Sequence, residues 1–230
     1  MWPNLYTRLA FPAVAAAALV WALGAATPLA AQSAPAEAVV PAIAATATLA
    51  PEEEAGLLFM FEEEKLAHDL YVALGNVAAV NGWALPVFDN IARAETMHAN
   101  AVQRLLIRYD VNVTAVDLPT GEFHNADLQA LYDALLVQAS ASAADALAAG
   151  ALVEETDIAD LDARVATSAH ADISRVYAQL RKGSTHHLQA FTGLLENRGG
   201  ARYTPQVLSS EEYAAALAAP RPGRAGRRGH

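Results

Sequence analysis

The sequence contains no cysteine, which excludes disulfides, thiolate zinc sites, iron–sulfur clusters and cysteine nucleophiles. It also has no glycine-rich phosphate loop, no spacing that suggests a nucleophile triad and no His-Glu-x-x-His protease signature. There is no internal repeat and no segment that reads as a strand. Cations are scarce in the body of the chain. Residues 32–219 carry ten Lys/Arg against all 25 Asp/Glu, a net of −15, within 230 residues whose formal charge is −10. A body this acidic is a poor nucleic-acid ligand, because phosphate binding needs clustered cations. Metal cations are its natural partners.

What is abundant is alanine, which favours helix. The first stretch, "MWPNLYTRLAFPAVAAAALVWALGAATPLAAQ", has one cation, Arg8, then an apolar run and small residues around Ala31. This is the pattern of a secretory signal spanning residues 1–31, cleaved after Ala31, and it predicts an exported protein, periplasmic or secreted. The alternative is an uncleaved anchor over residues 9–31, which Pro12, Gly24 and Pro28 interrupt. No membrane contact is expected beyond this leader. Residues 32–51 read as a flexible lead-in, and residues 219–230, "APRPGRAGRRGH", as a disordered basic tail.

Between them, over residues 52–218, the periodicity is helical. One helix is expected from about Glu52 to Val80 and a second from Pro86 to about Tyr109. A short one follows Asn125, placed to act as its cap. Two more run from Ser142 to about Val165 and from Ile173 to Asn197, and "SSEE" at 209–212 has capping-box spacing before a terminal helix. Short links make the first two long helices, and the last two, antiparallel hairpins. The connection between the hairpins, "DVNVTAVDLPTGEFHN" plus the short helix, is long enough to run back along the molecule. The expected fold is all-α: a four-helix bundle of two hairpins joined by a long crossover, the ferritin-like arrangement.

At 100° per residue, each long helix turns a metal-ligating side chain onto its apolar stripe. Glu63 lies among Met60, Leu66, Ala67 and Leu70; Glu95 and His98 flank Ile91, Val102 and Leu105. Glu154 shares a seam with Ala151, Ile158 and Leu161, and Ser184 and His187 one with Leu180 and Phe191, while His186 points away. Burying unpaired carboxylates is costly. Carboxylates with imidazole and no sulfur suit iron or manganese, one ion or two, and are compatible with zinc. Each feature alone has a plain structural reading: a hydrogen-bonded core histidine, a solvated acidic run, a core tyrosine at Tyr71 or Tyr177. Their convergence is what points to a site at Glu63, Glu95, His98, Glu154 and His187.

The blocks "LLFMFEEEKLAHDLY", "WALPVFDNIARAETMHANAVQRLL", "GALVEETDIADL" and "GSTHHLQAFTGLLE" resemble a bacterial ferritin-like family of unknown function, similar in plan to the ferritin and rubrerythrin superfamily. The resemblance covers roughly Pro51 to Tyr213. It implies a Glu-x-x-His pair from the second helix, here Glu95 and His98, another from the last long helix, and one glutamate each from the first and third. This chain departs at Ser184, where the second pair should carry its glutamate. That leaves three carboxylates unless Glu64, Glu155 or Asp157 supplies a fourth. Oxidase or peroxide-reducing chemistry and metal sequestration are both compatible with such a site. A metal-free binding or structural module of the cell envelope is the reading from another class.

Overall fold

A computed structural model describes residues 48–112, 118–199 and 201–221. The expected signal, most of the lead-in and residues 222–230 of the tail lie outside the described residues. Within them the protein is all-helical, with six helices and no strand: α1 (Pro51–Val80), α2 (Val87–Arg108), α3 (Ala126–Ala139), α4 (Ala143–Thr167), α5 (Ala171–Gly199) and α6 (Ser210–Ala218). Among the described residues, no helix is long and apolar enough to cross a membrane.

The helix starts follow from local chemistry. Pro51 sits in the first turn of α1, where its missing N–H costs nothing, and Glu52, Glu53 and Glu54 face the positive end of the helix. Asn125 accepts from the N–H groups of Asp127 and Leu128, and Ser142 accepts from Asp145 N–H. Ser209 and Glu212 exchange both bonds of a capping box.

The most extensive helix contacts are α4 with α5 and α1 with α2. Both pairs run antiparallel. Tyr71 and Glu64 of α1 meet Phe88 and His98 of α2, while Glu154, Asp157 and Asp162 of α4 meet His187, Ser184 and Arg181 of α5. Contacts also join α1 to α4, through Tyr71–Glu154, and α2 to α5, through Glu95–His187 and Arg108–Asp172. The segment that leads from α2 to α3 is tied to the outer side of α1. Asn125 N–H donates to Glu62, Gly121 N–H to Asp69, and Lys65 to the Pro119 carbonyl.

Two apolar layers bracket the middle of the long helices. At one end Leu57, Met60, Leu105, Leu106, Leu161, Ile173 and Leu180 form a continuous core. Towards the other, the rings of Tyr71, Phe88 and Phe191 pack with centroids 5.2–6.1 Å apart. A Cβ on Gly150 would lie 2.7 Å from the Phe191 ring, so the absence of a side chain there admits that ring against α4. Between the layers the interior is polar.

The C-terminal segment closes on α4 and α5. The Glu155 carboxylate, fully buried, accepts from the N–H groups of Gln206, Val207 and Leu208 at 2.8 Å each and from Tyr203 OH at 2.6 Å. Gln189 of α5 donates to the carbonyls of Ala216 and Ala219, and accepts from Arg221. Residues 219–221, assigned to the tail on composition, are therefore bonded to α5.

Candidate metal centre

The polar layer is built from Glu64 of α1, Glu95 and His98 of α2, Glu154 and Asp157 of α4, and Ser184 and His187 of α5. Glu64, Glu95 and Glu154 are each no more than 2% exposed. Glu95 lies at the centre. Its Oε2 is 2.7 Å from His98 Nδ1, and its Oε1 is 2.7 Å from His187 Nδ1. Glu64 Oε2 approaches His98 Nδ1 at 3.3 Å, and Glu154 Oε2 approaches His187 Nδ1 at 3.4 Å. The result is two triads with one shared member: Glu64–Glu95–His98 and Glu95–Glu154–His187. In each, one ligand atom per residue lies within 4.8 Å of the others. The two imidazoles stack, with centroids 5.6 Å apart.

Despite these short separations, Nδ1 of His98, Nδ1 of His187, Oε1 of Glu64 and Oε1 of Glu95 are buried without a hydrogen bond. A buried polar network normally satisfies its members. Here carboxylate oxygens and imidazole nitrogens from different helices face one another across a few ångströms. That is the donor chemistry of a cation site built from oxygen and imidazole.

The titration behaviour shows how heavily charged this interior is. Burial raises Glu64 well above the ordinary carboxylate range, and the Asp157 charge adds to it. Burial also acts to raise Glu95, but the two imidazoles overcome it and hold that group down at about 2. Burial works against charge on both histidines, yet Glu64 and Glu95 lift His98 to about 11, and Glu154 and Glu95 lift His187 to about 10. Glu154 is raised to about 6, by burial first and then by Glu95. Its second oxygen accepts from Tyr71 OH at 2.6 Å. Burial and the neighbouring Glu154 and Glu95 charges lift Asp157 to about 8, against the effect of the Ser184 hydroxyl that donates to it.

Four of the five residues singled out in the sequence are thus brought together: Glu95, His98, Glu154 and His187. Glu63 is not among them. It is buried on the α4 side of α1, where the Asp160 and Asp157 charges act on it, and its neighbour Glu64 completes the first triad. The two side chains are about 100° apart on the helix, and α1 is packed against both α2 and α4. The buried arc is therefore wide enough to take both. Glu155 faces the C-terminal segment, and Tyr177 lies in the apolar layer. Asp157 escaped the sequence reading as a principal candidate; its one signal was its place three residues after Glu154.

The chain is similar to known proteins over most of its length. Residues 53–220 match the profile of an uncharacterized protein domain, DUF2202. The uncharacterized protein MJ0754 of Methanocaldococcus jannaschii is 41% identical over 165 residues, spanning 72% of this chain and 86% of the relative. The crystal structure of the hypothetical protein MJ0754 from Methanococcus jannaschii is similar with a TM-score of 0.70 and 37% identity. That similarity covers 82% of this chain and 99% of the other.

Proposed function

We propose that this chain, which belongs to the DUF2202 family of uncharacterized domains, is a ferritin-like metal-binding protein whose interior carboxylates and imidazoles hold iron or manganese. The antiparallel pairs α1–α2 and α4–α5, joined through a long connection containing α3, support the ferritin-like arrangement. The observation that carries the metal reading is the shared Glu95. Its two oxygens serve separate triads, each with its own histidine Nδ1 and a further glutamate.

Glu64 and His98 would hold one ion, Glu154 and His187 another, with Glu95 contributing to both. Bound iron or manganese would supply a Lewis acid and, for iron, an accessible redox couple. The chain's own residues define the environment for it. Tyr71 OH orients Glu154 and Ser184 orients Asp157. The Tyr71–Phe88–Phe191 layer on one side and the Met60–Leu106–Leu180 layer on the other exclude water. Export after cleavage at Ala31 belongs to the same proposal and rests on the leader's composition. An intact mass starting at Gln32 tests it.

Elemental analysis of protein purified without a histidine tag tests the site. Wild type should bind Fe2+ or Mn2+ stoichiometrically, and its melting temperature should rise with metal, since a ligand of the folded state stabilises it by about 2.7 kcal/mol at a hundredfold excess over Kd. Glu95→Ala should remove binding at both triads. His98→Ala and His187→Ala should each remove one, and His186→Ala, whose imidazole meets the Pro220 carbonyl on the surface, should behave as wild type. Equal uptake by wild type and the Glu95 and His187 variants would overturn the reading in favour of a metal-free helical module.

A further inference from the structure

Three acids beside the centre remain without a role: Glu63, Asp157 and Asp160. They are not scattered. On α4, Glu154, Asp157 and Asp160 follow at intervals of three residues, each turned about 60° from the last. They climb about 9 Å along the helix axis. Opposite them, antiparallel α1 presents Glu64 and then Glu63. The ladder runs from Asp160, which is half-buried at the α1/α4 seam, to Glu63 at 4% exposure and Asp157 at 6%, and ends at Glu64 and Glu154.

The Asp160 charge acts on Glu63, and the Asp157 charge acts on both Glu63 and Glu64. Yet Glu63 Oε2 and Asp157 Oδ1 are buried with no partner. The other oxygen of Asp157 is fixed by the Ser184 hydroxyl, which leaves Oδ1 free. Apolar side chains of similar volume would fill this seam at lower cost. Carboxylate oxygens left bare at successive depths are instead what a migrating cation exchanges its water for.

We propose that Asp160, Glu63 and Asp157 form the inlet along which a divalent cation passes from the α1/α4 seam to the buried triads. The inference rests on the metal-binding reading above. At the outer end, Arg164 lies one helical turn beyond Asp160, its guanidinium 4.5 Å over the Phe59 ring. It opposes incoming cations. The rival route passes the imidazoles, since the side chains of His98 and His187 keep 16% and 13% exposure on the α2/α5 side.

Stopped-flow absorbance of Co2+ binding to the full-length protein, followed by release to a chelator, separates the two routes. Glu63→Gln and Asp160→Asn preserve side-chain volume. They should keep wild-type stoichiometry, with Kd within about threefold, while association and release both slow tenfold or more. Arg164→Gln should quicken association. Should Glu63→Gln fail to fold by circular dichroism, Asp160→Asn at its half-exposed position carries the test. Wild-type rates in Asp160→Asn would overturn the inlet and leave the imidazole side as the route. A weakened Kd with unchanged association would also overturn it, making these residues ligands. Wild type that takes up no Co2+ would end the site and its inlet together, so the two failures are distinguishable.

Discussion

Gly183 of α5 decides where His98 sits. A Cβ there would lie 2.5 Å from both Cε1 and Nε2 of the imidazole, closer than side-chain atoms approach. The glycine lets the ring lie against the α5 backbone with Nδ1 turned to Glu64 and Glu95. Gly183→Ala should push the ring away, cost about 1–3 kcal/mol through overpacking, and lose metal at the Glu64–His98 triad while keeping it at His187. Metal titration of the variant alongside His98→Ala checks this; unchanged stoichiometry would contradict it. The same residue scale shows what a helical wheel resolves. Of the three successive acids on α1, Glu62 binds Asn125 N–H in the α2–α3 connection, Glu63 lies within the field of Asp160, and Glu64 meets His98. All three have packed partners, in three directions. A wheel finds the centre of the apolar stripe, but on a helix buried against two neighbours the centre does not say which neighbour an acid will face. On α2, whose buried residues follow a single stripe, Glu95 and His98 were legible for that reason.

Among whole elements, the helices and their starts could be read because capping is local. Asn125, Ser142 and Ser209 bind N–H groups two or three residues ahead, and hydrophobic period and linker length supplied the rest. The Glu155 clamp could not be read. Its partners lie about 50 residues downstream, and inside α4 it is one more acid beside Glu154. The clamp has a measurable consequence. Glu155→Ala strips the acceptor from three backbone N–H groups and Tyr203, a loss on the order of 3 kcal/mol for hydrogen bonds to a buried charge. Hydrogen exchange should then show residues 203–208 and α6 opening, with α1 and α2 still protected. Uniform loss of protection would mean that the segment is not held separately.

For the molecule as a whole, two anchoring carboxylates outside the polar layer, Glu53 and Asp69, contribute to acid stability. Burial pushes Glu53 up, but His170 and the N–H of Ala169 override it and hold the group below its ordinary 4.5. Burial likewise acts on Asp69, and His68, Lys65 and the Gly121 N–H bring it below 3.8. A carboxylate lowered by folding contributes stability that is fully present above its ordinary value and is lost as pH falls through the lowered one. Melting temperature should therefore drop as pH falls below about 4.5, and Glu53→Gln and Asp69→Asn should each flatten that drop while lowering stability at pH 7. A variant as steep as wild type would remove its carboxylate from the account. The contact between Asp157 and Ser184 reaches beyond any one folded molecule. A glutamate in place of Ser184 would set a second acid against Asp157, and a lone change at 157 would return the serine hydroxyl wholly to the Leu180 carbonyl. Whatever side chain stands at 184 is therefore chosen together with the one at 157, although the two lie on different helices.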